Sequence, residues 1–133
     1  MWGSRVLSLL PDSPLLNVDR SLFARAVGNL IVNAMKYNQS GEVIEVAVRV
    51  NREADCIEII VMDDGDLIPE EQRDILFDAF TRGDQARKSD GGTGLGLAIT
   101  KAITKIHGGM TYYQQIDGKN CFITQWKHAD ERL

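Results

Sequence analysis

The chain has 133 residues, 44% hydrophobic and 26% charged, with a formal net charge of −4. That length suits one domain over residues 1–133 with a core of its own, and the composition excludes a disordered chain. A net acidic chain with scattered Lys and Arg offers no nucleic-acid surface, and no apolar run approaches the roughly 20 residues of a membrane-spanning helix.

Residues 5–10 read as a short strand, too brief for the apolar region of a secretory signal. Residues 1–4 suit a vector-derived remnant. Pro11-Asp12-Ser13-Pro14 is a turn. Asp19 has the chemistry of a helix N-cap, with Val18 and Phe23 spaced for a hydrophobic staple. The helix so started is predicted to run to about Asn38, where Gln39-Ser40-Gly41 ends it.

Residues 42–50 alternate, placing Ile44, Val46, Val48 and Val50 on one strand face. After a turn at 51–55, residues 56–62 form a second strand, with Ile57, Ile59 and Val61 on one face. Pro69 suits the first position of a short helix whose N-terminus Glu70 and Glu71 favour, reaching about Phe77. Residues 81–92 are polar and glycine-bearing and read as a mobile loop. A third helix over 95–107 is expected to turn Leu95, Ile99, Ala102, Ile103 and Ile106 inward and to stop at Gly108 and Gly109. Residues 110–116 and 119–127 form a hairpin around Asp117-Gly118.

Paired strands and helices in this order predict an α+β fold. It is a two-layer sandwich with a mixed, largely antiparallel sheet covered on one face by about three helices. Cys56 and Cys121 fall in strands and read as small buried hydrophobes in a reducing compartment, a disulfide between neighbouring strands being the alternative.

Three segments carry chemistry. On the first helix, Asn29, Asn33 and Lys36 fall within an arc of about 60°, flanked by Tyr37 and bordering the apolar face. Asn costs roughly half a kcal/mol against Ala in a helix interior, so two of them in mid-helix call for a reason. One is an ordinary solvated face. The other is a row of amide oxygens and an ammonium facing phosphates and Mg²⁺, a cation that takes oxygen ligands and keeps several waters.

Asp63 lies two residues beyond Val61 and so points inward at a strand end. An inward carboxylate needs a donor, and the exocyclic amine of adenine is one. A plain turn at Asp63-Asp64-Gly65-Asp66 is the alternative. Gly92, Gly94 and Gly96 flank Thr93 and Leu95 directly before a helix, where backbone N–H groups and the helix dipole favour an anion. It is neither a dinucleotide fingerprint nor a P-loop: no strand precedes the glycines, no βαβ unit follows, and no Lys-Ser/Thr pair ends them. A phosphate-and-metal helix, an adenine carboxylate and a glycine lid together make one ATP site.

Across roughly residues 5–127 the chain resembles the ATP-binding catalytic domain of sensor histidine kinases in two-component signalling. Asn29-Leu-Ile-Val-Asn33-Ala-Met-Lys36-Tyr37 is similar to the family's N box, and Val61-Met-Asp63-Asp-Gly65 to its first glycine box. The segment from Ile75 to Asp84, Ile-Leu-Phe-Asp-Ala-Phe-Thr-Arg-Gly-Asp, is similar to the F box. Gly92-Thr-Gly94-Leu-Gly96-Leu-Ala-Ile99 is similar to the second glycine box.

The resemblance implies ATP and Mg²⁺ as cofactors, with Asn33 on the metal and Asn29 beside it. Lys36 would meet phosphate, Tyr37 the ribose or base, and Asp63 the adenine amine. Gly65 and Ile68 would border the base. Arg82 and the lid of Gly92, Thr93, Gly94, Leu95, Gly96 and Leu97 would close over the phosphates, anchored by Phe77 and Phe80. Asn29, Lys36 and Arg82 would be the catalytic groups. The phosphorylated histidine would belong to a separate helical-hairpin domain that this chain lacks. His107, at a helix end, reads as structural, and His128 lies near the C-terminus.

The family resemblance further implies a monomeric domain, cytoplasmic, within a larger sensor kinase, with a response regulator as an indirect partner. Related gyrase, mismatch-repair and chaperone ATPases usually carry Glu where Asn29 stands. An amide cannot serve as a general base, so presentation of ATP for transfer is expected rather than hydrolysis. Leu67 replaces a second glycine of the first glycine box, which predicts weaker nucleotide binding. A degenerate nucleotide-binding module and an anti-sigma-type serine kinase are the alternatives.

Overall fold

The structure, a computed structural model, describes residues 16–37, 41, 43–78 and 96–127. The expected strand at 5–10, the turn at 11–14, the helix stop at 38–40, the loop at 81–92 and His128 lie outside them. The elements are α1 (Arg20–Tyr37), β1 (Ile44–Asn51), β2 (Cys56–Asp63), α2 (Glu70–Arg73), α3 (Gly96–Ile106), β3 (Met110–Ile116) and β4 (Lys119–Lys127). The four strands make one sheet in the order β1-β2-β4-β3, every described pair antiparallel.

α1 starts as its sequence predicts. The Leu22 N–H donates to Asp19 Oδ1 at 3.0 Å, and Val18 and Phe23 share one apolar cluster. That cluster joins Phe23, Ala26 and Val27 of α1 to Ile57 and Ile59 of β2, Ile103 of α3 and Trp126 of β4. A second cluster continues it toward the other end of the sheet: Leu30, Ala34, Val61, Leu76, Leu97 and Phe122. Helices therefore cover one sheet face. The far face carries a smaller cluster of Ile60, Cys121 and Ile123.

Strand boundaries match the alternation, with one difference in burial. Val48 and Ile44 of β1 pack against the two main clusters, whereas Val46 and Val50 are 43% and 40% exposed. Within the described sheet β1 is an outer strand, and a helix layer narrower than the sheet leaves part of its face uncovered.

α3 buries Ile103 as expected, but its buried face is rotated from the expected one. Leu97, Thr100, Ile103 and Thr104 are buried, Ile99 packs at the margin, Ala102 is exposed, and Ile106 is 74% exposed. Hydrogen bonding makes this possible. Thr100 Oγ1 donates to the Ala26 carbonyl at 3.0 Å, and the Thr104 and Thr111 hydroxyls are 2.7 Å apart. A buried threonine with a satisfied hydroxyl presents only its methyl to the core.

α2 is also shorter than predicted, ending at Arg73. The chain then tightens into three-residue turns, Leu76 N–H to the Arg73 carbonyl and Asp78 N–H to the Ile75 carbonyl, which deliver Leu76 into the second cluster.

The α3 stop is a Schellman motif: Gly109 N–H bonds the Thr104 carbonyl, Gly108 N–H bonds Lys105, and Gly108 has φ +75°. His107 closes the end structurally. Its Nδ1 lies 2.8 Å from the Ile103 carbonyl, its Nε2 accepts the Asp19 N–H at 3.1 Å, and its ring stands edge-on to Trp126. One imidazole thus joins the end of α3 to the cap of α1. Asp117 and Gly118 both have positive φ, as the tight β3–β4 turn requires.

On the far face, Glu58 is 1% exposed and bonded to Arg49, Tyr112 and Gln125. Cys56 and Cys121 are free thiols. They stand opposite Lys127 and Met62 in the β2–β4 register, too far apart along the strands for a disulfide.

Candidate functional site

The second apolar cluster is the floor on which the predicted motifs meet. Ala34 brings the C-terminal half of α1 to it, Val61 the end of β2 that carries Asp63, and Leu97 the first turn of α3. Asn29, Asn33 and Lys36 are each half-buried along the α1 margin. Asn29 Nδ2 donates to the Gly96 carbonyl at 3.3 Å, joining the polar stripe of α1 directly to the glycine start of α3. A Cβ built on Gly96 would come no closer than 3.9 Å to Asn29, so the two helices meet at van der Waals distance. Leu97 is 6% exposed, with its side chain in the floor. Among the described residues Lys36 has no carboxylate partner.

Asp63 is 6% exposed, at the inward position its alternation predicts. It is not short of donors. Gly65 N–H and Asn120 Nδ2 both donate to Oδ1, each at 3.0 Å. That leaves Oδ2 with no hydrogen bond among the described residues, an open carboxyl oxygen at the strand end.

A family model for histidine kinase-, DNA gyrase B- and HSP90-like ATPases matches residues 18–130. The chain belongs to this family. Sensor histidine kinase WalK of Bacillus subtilis is 39% identical to this family member over 117 residues, 86% of the chain and 19% of WalK. Sensor protein CzcS of Cupriavidus metallidurans is 39% identical over 125 residues, 92% of the chain and 26% of CzcS. The chain thus spans about a quarter or less of either relative. Among solved structures, the mycobacterial sensor histidine kinase MprB superposes with a TM-score of 0.73 at 29% identity, over 85% of this chain and 76% of that one. The fold is the α+β sandwich of histidine kinase catalytic domains.

Of the residues singled out in this ATPase-family domain, Leu97 belongs to the floor and Ile68 packs against it, Asn29 is bonded to Gly96, and Asp63 is bonded to Gly65; Asn33 and Lys36 lie on α1 on either side of Ala34. Phe77 packs against that floor and stands edge-on to Phe122. Phe80, Arg82, Gly92, Thr93, Gly94, Leu95 and the Tyr37 side chain lie outside the described residues. Leu67 is 44% exposed, and its φ is not in the left-handed region, so its backbone conformation does not demand glycine.

Sequence reasoning missed Asn120, Tyr113, Gln115 and Arg73. Three of them grip the loop after Asp63, and Tyr113 braces Asn120 from behind: Asn120 Nδ2 donates to the Asp66 carbonyl at 2.9 Å, and Gln115 Nε2 and Arg73 Nε each donate to the Ile68 carbonyl at 3.2 Å. No local signal points to Asn120. Only the β2–β4 register, which sets it opposite Asp63, reveals it.

Proposed function

We propose that this domain binds Mg-ATP and presents the γ-phosphate for transfer to a histidine on a separate phosphoacceptor domain. The observation that carries the reading is Asp63, with one carboxylate oxygen doubly held and the other open, above the same floor as the α1 amides and the start of α3. Oδ2 accepts the adenine amine, while Gly65 and Ile68 border the base.

The Asn33 side chain has no hydrogen bond among the described residues, and no cluster of three His, Cys, Asp or Glu side chains occurs there. That donor set fits Mg²⁺ held by one amide oxygen, phosphate oxygens and water rather than by a carboxylate cage. When bound, Mg²⁺ would offset phosphate charge. Lys36 places its ammonium on the phosphates, as Arg82 does from the F box. Asn29 holds the start of α3, whose backbone N–H groups, with Gly92, Thr93, Gly94 and Leu95, face the phosphates. Tyr37 meets the ribose or base, and Phe80 with Phe77 anchors the lid. With an amide at position 29 the site has no general base there, so ATP is kept for transfer.

The whole kinase would supply the helical-hairpin acceptor and reach a response regulator, with this domain as a cytoplasmic, monomeric part.

Binding of a Mg-ATP analogue is expected to weaken strongly in Asp63→Asn and Asn33→Ala; unchanged binding in both refutes the site. Leu67 supports a second reading, a module that binds nucleotide without transfer. Incubation with ATP and a supplied acceptor domain separates the two, since phosphohistidine forms only under the first.

A further inference from the structure

We propose that Asn120 is the residue that makes the Asp63 site selective for adenine, by fixing which carboxylate oxygen is open to a donor. The inference rests on the nucleotide reading above and adds a positioning residue to it.

Asn120 is 3% exposed and lies between Asp63 of β2 and Gln115 of β3 in the sheet register. An asparagine amide can donate two hydrogens and accept two. Here all four are used. Nδ2 donates to Asp63 Oδ1 at 3.0 Å and to the Asp66 carbonyl at 2.9 Å. Oδ1 accepts the Ile68 N–H at 3.3 Å and the Tyr113 hydroxyl. This set also fixes the amide orientation. Reversed, its oxygen would face a carboxylate and a carbonyl, and its nitrogen two donors.

The chain of donors runs one way. Gln115 Nε2 donates to the Tyr113 oxygen at 3.1 Å, Tyr113 donates to Asn120, and Asn120 donates to Asp63. Every link sends its hydrogen toward the carboxylate and, together with the Gly65 N–H, saturates Oδ1. Oδ2 is then the only place for a ligand, and it asks for a donor. An amino group at purine position 6 meets that demand; an oxo group there sets oxygen against oxygen. Asn120 reaches no ligand atom itself. Its part is to hold the carboxylate in one rotation and the 66–68 loop at one height beside it.

An aspartate at 120 keeps the shape and loses both donors. A threonine keeps a single donor. The test compares ADP with IDP, whose bases differ at position 6, by calorimetric titration of the full chain. Wild type is expected to prefer ADP. In Asn120→Asp the ADP/IDP affinity ratio should fall about tenfold or more, the scale of a lost hydrogen bond to a charged group, and Asn120→Thr should recover part of it.

A purely structural asparagine would lower both affinities together, so a ratio within about twofold of wild type in folded Asn120→Asp overturns the proposal. Hydrogen exchange on ligand-free wild type tests it without a variant: the Gly65 and Ile68 amides should be protected, and exchange at unprotected rates overturns the prearranged loop. Wild type that binds ADP and IDP equally refutes the role of Asn120 alone, whereas wild type that binds neither refutes the nucleotide reading beneath it.

Discussion

Asn29 on α1 and Gly96 at the start of α3 are joined by one hydrogen bond, Nδ2 to carbonyl oxygen, 3.3 Å long. The two residues are 67 positions apart, and the bond locks the polar stripe of one helix to the glycine end of another. Removing it in Asn29→Ala should cost about 1 kcal/mol in urea unfolding and also weaken ATP-analogue binding, because the α3 start loses its support. Asn29→Asp should cost more at neutral pH, since a carboxylate then faces the carbonyl oxygen. Equal stability of wild type and both variants would refute the link.

Two glycines matter for opposite reasons. A Cβ on Gly109 would collide with the Gln125 backbone carbonyl, where β4 passes the end of α3. A Cβ on Gly118 would meet nothing, but the residue has φ +74°. Gly118→Ala should therefore cost about 1–2 kcal/mol from backbone conformation alone. Gly109→Ala should cost roughly 4 kcal/mol or more, because two backbones must separate. Thermal unfolding of the pair checks the order, and the reverse order would refute it.

Glu58 predicts an acid limit. Burial acts to raise its pKa, but hydrogen bonds from Gln125 and Arg49, the Arg49 charge and the Tyr112 hydroxyl outweigh that and hold it below the ordinary glutamate value. A carboxyl lowered on folding stabilises the protein above its unfolded pKa, and the benefit is lost as pH falls through the folded one. Arg49 is 53% exposed, so its charge is screened and the hydrogen bonds dominate. Glu58→Gln should lose roughly 1.5–3 kcal/mol at neutral pH, and the gap from wild type should close below the usual glutamate range. A gap that stays constant with pH would show that the loss is packing, not ionisation.

Leu67 should act at the rim of the site rather than through the backbone, because it is exposed and its φ is ordinary. Leu67→Gly is expected to leave the sheet core intact and to tighten ATP-analogue binding by removing bulk. Equal or tighter binding by wild type would sink that expectation.

Local chemistry was legible in the residues themselves. The Asp19 cap, the Asp117-Gly118 hairpin, the Gly108-Gly109 stop and the inward Asp63 each depend on a few neighbours in sequence, and each stands where its pattern predicts. The order of the N box, first glycine box, F box and second glycine box pointed to the family for the same reason: each motif is a short run read without knowing what it touches. Faces were less legible. The largest aliphatic residues of α3 predicted only part of its buried stripe, because Thr100 is satisfied in the core by the Ala26 carbonyl from another element and Thr104 by Lys101 and Thr111.

The sequence by itself therefore determined the α+β class, most element boundaries and the family, and it supplied the aspartate, two asparagines and lysine that the proposed site is built on. Only the tertiary structure decided which oxygen of Asp63 is open, because the two donors that close the other come from the following loop and from β4. Cross-strand register depends on how whole apolar faces dock, and nothing near Asn120 in sequence encodes that it will stand opposite Asp63.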